Sequence, residues 1–292
     1  MKRVLWVCDE PNWAYDVNAK ALAKHMKRFE HEFFYCSIQE GEITTENYDI
    51  VVVMYPLHLS KCNKLDNVFS VLDSVRATVS AKADLLSKTF GIICCNKELL
   101  NFAKKLNNNA VLVSNGLDLD YFKPIDKRPD RKFTVGFAGD TREAAGIYKG
   151  WPIYQEAVNK LGSLVEQFNV GKGVNQIPVD RMVEDFYHKI DCLVLLSINE
   201  GCSNVIAEAL ACGLPVICTK VGYHGHTLDG RQNIFVERNV EQVIEAIKKI
   251  SQDKEMCKSM GIEARNFASI HHSITGSAME YTRLFLECCN KL

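Results

Sequence analysis

Short apolar runs alternate along this chain with amphipathic segments of helical periodicity. Uninterrupted runs of Val and Ile with helices between them are typical of a parallel sheet covered on both faces. In the first part of the chain the apolar runs are residues 4–8, 33–37, 50–54, 92–95 and 110–113. The helix-like segments there are 18–28, 65–72 and 97–106, while 75–80 fits either a strand or a helix start. The pattern predicts an α/β fold with parallel strands.

The alternation breaks once and then restarts. Ser114-Asn115-Gly116 is a turn signal, and residues 121–130 combine two prolines with mixed charges. Apolar runs follow at 133–138, 164–168, 192–197, 216–219 and 234–236, and helical segments at 151–161, 180–189, 203–212, 240–250, 254–270 and 274–289. We therefore predict two doubly wound Rossmann-like domains, 1–126 and 127–273. Such folds bind ligands at the carboxyl ends of their strands, so a cleft between the two domains is the expected site.

Composition limits the functions that this chain can have. Its 292 residues include 35 basic and 36 acidic side chains, so the net charge is −1. Nucleic-acid binding by phosphate neutralisation needs a basic excess, and its absence argues against that class. No apolar run approaches the roughly 18 residues of a membrane span, so the sequence predicts none. The first residues lack a signal-peptide pattern, which favours a cytoplasmic protein.

The twelve cysteines are scattered and show no C-x-x-C spacing. Several lie in apolar runs, where a thiol behaves as a small hydrophobic group, so we expect reduced cysteines in the core. A zinc site needs closely spaced Cys or His ligands, and only His224/His226 and His271/His272 come near such a spacing. The sequence therefore predicts no metal site.

Residues 197–217 carry the clearest chemical pattern of the sequence. They follow the order of a strand, a loop of small residues, a helix, a glycine turn and a second strand. Gly201, Cys202 and Ser203 let the backbone approach a ligand closely, and Ser203 is a favoured helix N-cap. Helix starts bind phosphate through backbone N–H groups. The segment predicts an anion site at the start of the helix.

Two glutamates flank this predicted anion site. Glu208 follows Ser203 by five residues, which is about 7–8 Å along a helix and close to the offset between a diphosphate and its ribose. A carboxylate there can accept hydrogen bonds from two vicinal hydroxyls. Glu200, at the strand end, would lie beside a transferred group. The alternative interpretation is that both glutamates are ordinary solvated acids, but the helix around Glu208 is otherwise apolar or small.

The same segment resembles a known family. Glu200 and Glu208 are separated by seven residues and followed by ALACGLPV, which resembles the E-x7-E motif of retaining GT-B glycosyltransferases, in particular glycosyltransferase family 4 (group 1). Residues 115–124 resemble that family's interdomain turn. Residues 136–139 and Lys149-Gly150 resemble its first strand of the second domain and its Lys-Gly pair. The resemblance implies a GT-B fold with a shortened N-terminal domain, two parallel sheets facing across a cleft, and a last helix of about 274–292 packed on the first domain.

The resemblance also implies roles for the matched residues. Lys149 would hold the donor diphosphate, Glu208 would bind the nucleotide ribose, and Glu200 would act beside the donor sugar. A cation at the diphosphate stabilises the leaving group more in the transition state than in the ground state. The other donor-binding residues implied are Gly201, Cys202, Ser203, Asn204 and Val205.

The chain departs from the family pattern at several positions. Asp140 stands where the family usually has Arg, so Arg142 is our candidate for the second phosphate cation. The first loop, 9–16, lacks the family's Gly-Gly pair. Many members have a His after a middle strand of the first domain; if 75–79 is that strand, Ser80 follows it. His58 follows a different strand and is our candidate for a catalytic contact with the donor sugar or acceptor.

The resemblance implies a retaining glycosyltransferase that moves a hexose from a nucleotide-diphospho-sugar to a hydroxyl of a glycan, a lipid or another acceptor. The resemblance implies no metal ion and no cofactor besides the donor. A peripheral contact with a membrane is left open. The alternative is a weakly active or inactive nucleotide-sugar-binding protein on the same scaffold. A dehydrogenase is a third interpretation, which is weak because no G-x-G-x-x-G follows the first strand.

Overall fold

A computed structural model describes residues 1–74, 83–125 and 131–291 of the chain. The chain divides into two compact units, one formed by Met1–Gly116 with Ser273–Leu292 and the other by Leu117–His272. The first change of unit falls at residue 116, within the turn signal of the sequence, whereas the predicted domain boundary lies after residue 126. The C-terminal segment belongs to the first unit.

Eleven strands and eleven α-helices are assigned within the described residues. The strands are β1 (Lys2–Cys8), β2 (Phe29–Tyr35), β3 (Ile50–Val53), β4 (Val68–Leu72), β5 (Gly91–Cys94), β6 (Ala110–Leu112), β7 (Thr134–Ala138), β8 (Glu166–Val170), β9 (Cys192–Leu195), β10 (Val216–Cys218) and β11 (Asn233–Phe235). The helices are α1 (Ala14–His25), α2 (Ala83–Leu86), α3 (Lys97–Ala103), α4 (Glu143–Lys149), α5 (Trp151–Leu161), α6 (Met182–Asp185), α7 (Asn204–Ala211), α8 (Gly222–Thr227), α9 (Val240–Gln252), α10 (Lys254–His271) and α11 (Ile274–Lys291). Short 3₁₀ helices span Thr45–Asn47, Pro56–Lys61, Gly162–Leu164, Val179–Arg181 and Tyr187–Lys189.

The first unit is built on a parallel six-stranded sheet in the order β2-β1-β3-β4-β5-β6. Four consecutive residues of β3 are fully buried, as expected of a strand with helices on both faces. Helix α11 packs its apolar face on this sheet, where the Phe285 ring lies 5.6 Å from Phe29 and 5.5 Å from Phe69, centroid to centroid. Trp6, from β1, completes the aromatic core at 6.1 Å from Phe285.

The second unit holds a parallel five-stranded sheet in the order β11-β10-β9-β7-β8. Strands β9 and β10 are buried along their whole length. Helix α7 is short and apolar on most sides, and it packs against α10. Because the carboxyl ends of parallel strands share one edge of the sheet, the loops after β7 and β9 lie on the same edge.

Two fold predictions made from local pattern were wrong. Residues 65–72 were predicted to be helical, but β4 occupies Val68–Leu72, and all five of its residues are buried. Apolar residues at positions 65, 68, 69 and 72 fit a helical face, but the last three of them lie in a strand between β3 and β5. The predicted helical segments of the second domain begin only at residue 151, whereas α4 already begins at Glu143. The ambiguous segment 75–80 lies outside the described residues.

Candidate functional site

Strand β9, the loop after it and α7 have the predicted order. Ser203 is the N-cap of α7, and its Oγ accepts a hydrogen bond from the Ile206 amide at 3.4 Å. Ser203 is buried, whereas Asn204 and Val205 in the first helical turn are half-buried. The positive end of the helix dipole lies at this start and favours an anion there.

Lys149 and Glu200 meet in an ion pair at this end of the second unit. The Lys149 Nζ lies 2.5 Å from Glu200 Oε1, and the Ser197 hydroxyl donates to the same oxygen at 2.6 Å. The exposed fractions of the two charged side chains are 31% and 14%, so the pair is accessible to a ligand but largely shielded from water. Glu200 is three residues before Ser203, the N-cap of α7, and the ion pair brings the Lys149 cation to this carboxylate.

Gly150 fixes the position of Lys149 at the end of α4. Its φ of 81° lies in the left-handed region, and a Cβ there would lie 2.4 Å from Leu196 Cβ and 2.6 Å from the Leu196 carbonyl oxygen. Only glycine combines this backbone conformation with such a close approach. The Lys149-Gly150 pair therefore lets the end of α4 pack closely against Leu196, the residue that follows β9.

Glu208 is enclosed in a protein environment. Its Oε2 accepts a hydrogen bond of 2.5 Å from the Tyr187 hydroxyl. Burial raises the pKa of the Glu208 carboxyl to about 7, although the Tyr187 hydrogen bond acts in the opposite direction. At neutral pH the carboxyl is therefore partly protonated, and a small change of pH alters its charge. An ordinary solvated glutamate would not show this behaviour.

Arg238 was missed by sequence reasoning. Its guanidinium donates hydrogen bonds to the carbonyl oxygens of Ile147 at 2.6 Å, Tyr148 at 3.2 Å and Leu196. The first two are among the last carbonyls of α4, beyond the regular i→i+4 ladder of the helix. Besides Arg238, Ile147 accepts from the Gly150 amide at 3.2 Å and Tyr148 from the Ile198 amide at 2.9 Å. Arg238 thus ties the helix end that carries Lys149 to the end of β9. No local signal reveals this role, because α4 itself was not predicted.

Arg142 has a carboxylate partner of its own. Its Nε and Nη2 lie 3.0 Å and 2.9 Å from the two carboxylate oxygens of Asp140, and its side chain is 60% exposed. The structure therefore pairs the candidate second cation with the residue that departs from the family pattern. A contact of Arg142 with a phosphate would have to compete with this bidentate pair.

The first unit has polar groups of its own at the carboxyl ends of its strands. The buried Nε2 of His58 and the buried Oδ1 of Asp9 have no hydrogen-bond partner among the described residues. Burial lowers the pKa of His58, so its imidazole is neutral at pH 7. Asp73, directly after β4, accepts a hydrogen bond from the Tyr15 hydroxyl at 2.8 Å, and burial raises the pKa of its carboxyl to about 6. Asp73 and Tyr15 were not predicted; a carboxylate directly after a buried strand was the available signal.

Cys202 does not lie in an open loop. It is buried, and its thiol belongs to a cluster with the rings of His224 and His272. The neighbouring loop is held by the Gly201 carbonyl, which accepts a hydrogen bond from the Tyr223 amide at 2.7 Å. The cluster of one thiol and two imidazoles is the group of described residues that could hold a metal ion, although the sequence predicted no metal site.

The chain belongs to the family described as glycosyl transferases group 1, whose model matches residues 119–267, just over half of the chain. The matched region contains Lys149, Glu200 and Glu208. The two units of the chain, each with a parallel sheet of the Rossmann-like type, give the protein the GT-B fold that the sequence predicted.

Curated relatives carry names that agree with this family. An uncharacterized glycosyltransferase of Methanocaldococcus jannaschii is 28% identical over 61% of this chain and 54% of its own length. A trehalose synthase of Pyrococcus horikoshii is 26% identical over 49% of this chain and 33% of its own length. A putative teichuronic acid biosynthesis glycosyltransferase of Bacillus subtilis is 24% identical over 56% and 47%. The chain thus spans about half the length, or less, of these relatives.

Solved structures resemble the fold over nearly the whole chain. HepE of Anabaena, in complex with UDP and glucose, has a TM-score of 0.77 and 13% identity over 97% of this chain and 99% of that chain. Sucrose-phosphate synthase of Thermosynechococcus elongatus has a TM-score of 0.83 and 13% identity, with full coverage of both chains. Within the described part of this chain, no helix is both long enough and apolar enough to cross a membrane.

Proposed function

We propose that this protein is a retaining glycosyltransferase that transfers a hexose from a nucleotide-diphospho-sugar to a hydroxyl group of a glycan or lipid. The observation that carries the proposal is the ion pair of Lys149 and Glu200 beside the N-cap of α7, in a chain of the group 1 family. Lys149 and the helix start both supply positive charge where a diphosphate would bind. The proposal therefore uses no metal ion at the diphosphate.

The proposed reaction breaks the bond between the anomeric carbon and the diphosphate oxygen. Negative charge grows on the leaving diphosphate, and Lys149 is best matched to that charge in the transition state. When the donor binds, its diphosphate would attract the Lys149 ammonium group away from Glu200, wholly or in part. The Glu200 carboxylate could then accept hydrogen bonds from the sugar hydroxyls. The acceptor hydroxyl attacks the same face of the anomeric carbon, and its proton passes to the leaving diphosphate oxygen. Glu208 would hold the ribose of the donor.

A uridine diphosphate donor is the first to test, because HepE of Anabaena was solved with UDP and glucose and with UDP-glucose. The first unit carries His58, Asp9 and Asp73 at its strand ends, and these polar side chains are our candidates for binding the acceptor.

We also propose that the protein is cytoplasmic. All twelve cysteines lie in the described residues and none forms a disulfide, as expected in a reducing compartment.

The first experiment is a thermal-shift screen against UDP, GDP, ADP and their common sugars, since a ligand that binds the folded state raises the melting temperature. We expect one nucleotide class to stabilise the protein. Lys149→Ala should weaken that binding by about tenfold to 100-fold, the range for a hydrogen bond to a charged group. Lys160→Ala is the matched control, because Lys160 forms exposed pairs with Glu156 and Glu241 in the same unit. No stabilisation by any sugar nucleotide would refute the proposal.

The pairing of Arg142 with Asp140 favours a second candidate, a sugar-nucleotide-binding protein with little activity. In that protein the second phosphate cation would be withheld by its own carboxylate. Hydrolysis of the bound donor separates the two candidates, because a transferase hydrolyses its donor slowly and Glu200→Gln abolishes that hydrolysis. Binding without hydrolysis in the unaltered protein would favour the second candidate.

A further inference from the structure

Three side chains that bind metals in other proteins converge inside the second unit. The Cys202 thiol and the rings of His224 and His272 offer ligand atoms that all lie within 4.8 Å of one another. Their exposed fractions are 7%, 1% and 0%, so the cluster is buried. They come from three segments, the loop before α7, helix α8 and the residue after α10. Because the three residues are distant in sequence, the tertiary packing of the unit brings them together.

The spacing of the two imidazoles suits a tetrahedral ion. The Nε2 atoms of His224 and His272 lie 3.2 Å apart. Two nitrogens that each lie about 2.0–2.1 Å from one tetrahedral Zn²⁺ are separated by about 3.3 Å. The same distance also fits a direct N–H···N hydrogen bond between the rings. The neighbouring Cys202 thiol favours the metal site, because a hydrogen bond between two imidazoles does not require a third ligand atom.

The surroundings hold the rings in place and keep water away. The Tyr223 ring stands edge-on to both imidazoles, with centroids 5.4 Å from His224 and 5.3 Å from His272. Phe267 covers His272 from another side at 5.9 Å. Both imidazoles are buried, with His224 1% and His272 0% exposed, and a neutral imidazole is the form that binds a metal. Such packing fixes ligand orientation before an ion arrives.

We propose that Cys202, His224 and His272 bind one borderline transition-metal ion of the Zn²⁺ class, with water as a fourth ligand. A thiolate and two imidazoles suit this class, whereas Mg²⁺ and Ca²⁺ prefer oxygen ligands. Binding forms one metal–sulfur bond and two metal–nitrogen bonds and releases the thiol proton to solvent. The ion would tie the Gly201-Cys202-Ser203 loop to α8 and to the end of α10. It stabilises the loop and takes no part in binding the diphosphate.

Cobalt is the probe that tests the ligand set directly. The full chain is stripped with a chelator and titrated with Co²⁺, and we expect one ion per chain. The spectrum should show a thiolate-to-cobalt charge-transfer band and the intense visible bands of tetrahedral cobalt. Zn²⁺ should displace the cobalt and raise the melting temperature of the metal-free protein. A chain that binds no stoichiometric ion overturns the proposal.

Matched variants assign the ligands. Cys202→Ser should remove the charge-transfer band. His224→Gln and His272→Gln should each weaken Co²⁺ binding by more than about 100-fold, because losing only a hydrogen-bond partner of a ligand costs about 10-fold to 100-fold. Cys257→Ser and His271→Gln are controls, since both side chains are half-buried in the same unit and outside the cluster. Circular dichroism checks that each variant is folded. A band that survives Cys202→Ser in a folded protein contradicts the proposal.

If a variant fails to fold, a measurement on the unaltered protein still tests the proposal. X-ray absorption at the zinc edge of the unaltered, loaded protein reports the ligands without mutation. We expect one sulfur and two imidazole nitrogens. A shell of oxygen and nitrogen only would show that the two rings are merely hydrogen-bonded to each other. Neither measurement uses a sugar nucleotide, so the outcome is independent of the proposed transferase activity.

Discussion

One carboxyl group, that of Glu208, determines the pH at which the proposed donor site acquires its charge. Because burial raises its pKa to about 7, the folded protein holds this proton more tightly than an unfolded chain with the ordinary value of 4.5. The stabilisation from the bound proton is therefore full below about pH 4.5 and is lost as the pH rises through about 7. Ribose hydroxyls, by contrast, bind better to the ionised carboxylate, so ligand binding and stability depend on pH in opposite directions.

We predict that nucleoside-diphosphate affinity rises severalfold between about pH 6 and pH 8 and that Glu208→Gln removes this dependence. Isothermal titration calorimetry with the nucleotide identified by the screen measures it. Tyr187→Phe is the matched partner change, since the Tyr187 hydroxyl stabilises the ionised form of Glu208. It should move the rise in affinity to higher pH. An identical pH profile in Glu208→Gln would show that another group titrates.

At the scale of elements, the proposed site depends on the end of α4 being held in place. Arg238 donates to carbonyl oxygens of Ile147, Tyr148 and Leu196. Arg238→Met should lower the free energy of unfolding by about 2–4 kcal/mol. Each lost hydrogen bond from the charged guanidinium is worth about 1.5–3 kcal/mol, and water that reaches the freed carbonyls offsets part of the total. It should also weaken donor binding, because Lys149 directly follows Ile147 and Tyr148 in α4.

Urea unfolding and calorimetry with the nucleotide measure the two effects of Arg238→Met. Arg231→Met is the matched control, since the Arg231 guanidinium forms exposed pairs with Asp229 and Glu263 and should contribute less than about 1 kcal/mol. Loss of stability with unchanged donor affinity would assign Arg238 a purely structural role.

The loop before α7 also depends on its neighbour α8. Gly222 has a φ of 62°, and a Cβ there would lie 2.4 Å from the Glu200 carbonyl oxygen. Gly222→Ala should therefore displace Glu200 and Gly201 and cost more than the roughly 1–3 kcal/mol of backbone strain alone. Gly230→Ala separates the two effects, because Gly230 has a φ of 92° but open space around it. We expect the melting temperature and donor affinity to fall further in Gly222→Ala.

At the scale of the whole molecule, the chain returns to its first unit through α11. Phe285 is fully buried there against Trp6, Phe29 and Phe69. Phe285→Ala should destabilise that unit by about 3–5 kcal/mol. Hydrogen exchange should show lower protection in residues 1–74 and 83–116, with little change in the second unit. Met279→Ala, 68% exposed on the same helix, is the control. Equal loss of protection in both units would contradict separate cores.

The sequence was sufficient for features that depend on local pattern. Apolar runs predicted the parallel strands, and Ser203 with the apolar residues after it predicted the start of α7, because capping and periodicity are properties of neighbouring residues. Contacts between distant residues could not be predicted in this way. The Lys149–Glu200 pair joins residues 51 apart, and the His224–His272 pair joins residues 48 apart. Strand β4 was mistaken for a helix for the same reason, since burial between β3 and β5 outweighed its local pattern. Which segments meet is decided by the packing of the whole unit, and the chemistry of this protein lies in those meetings.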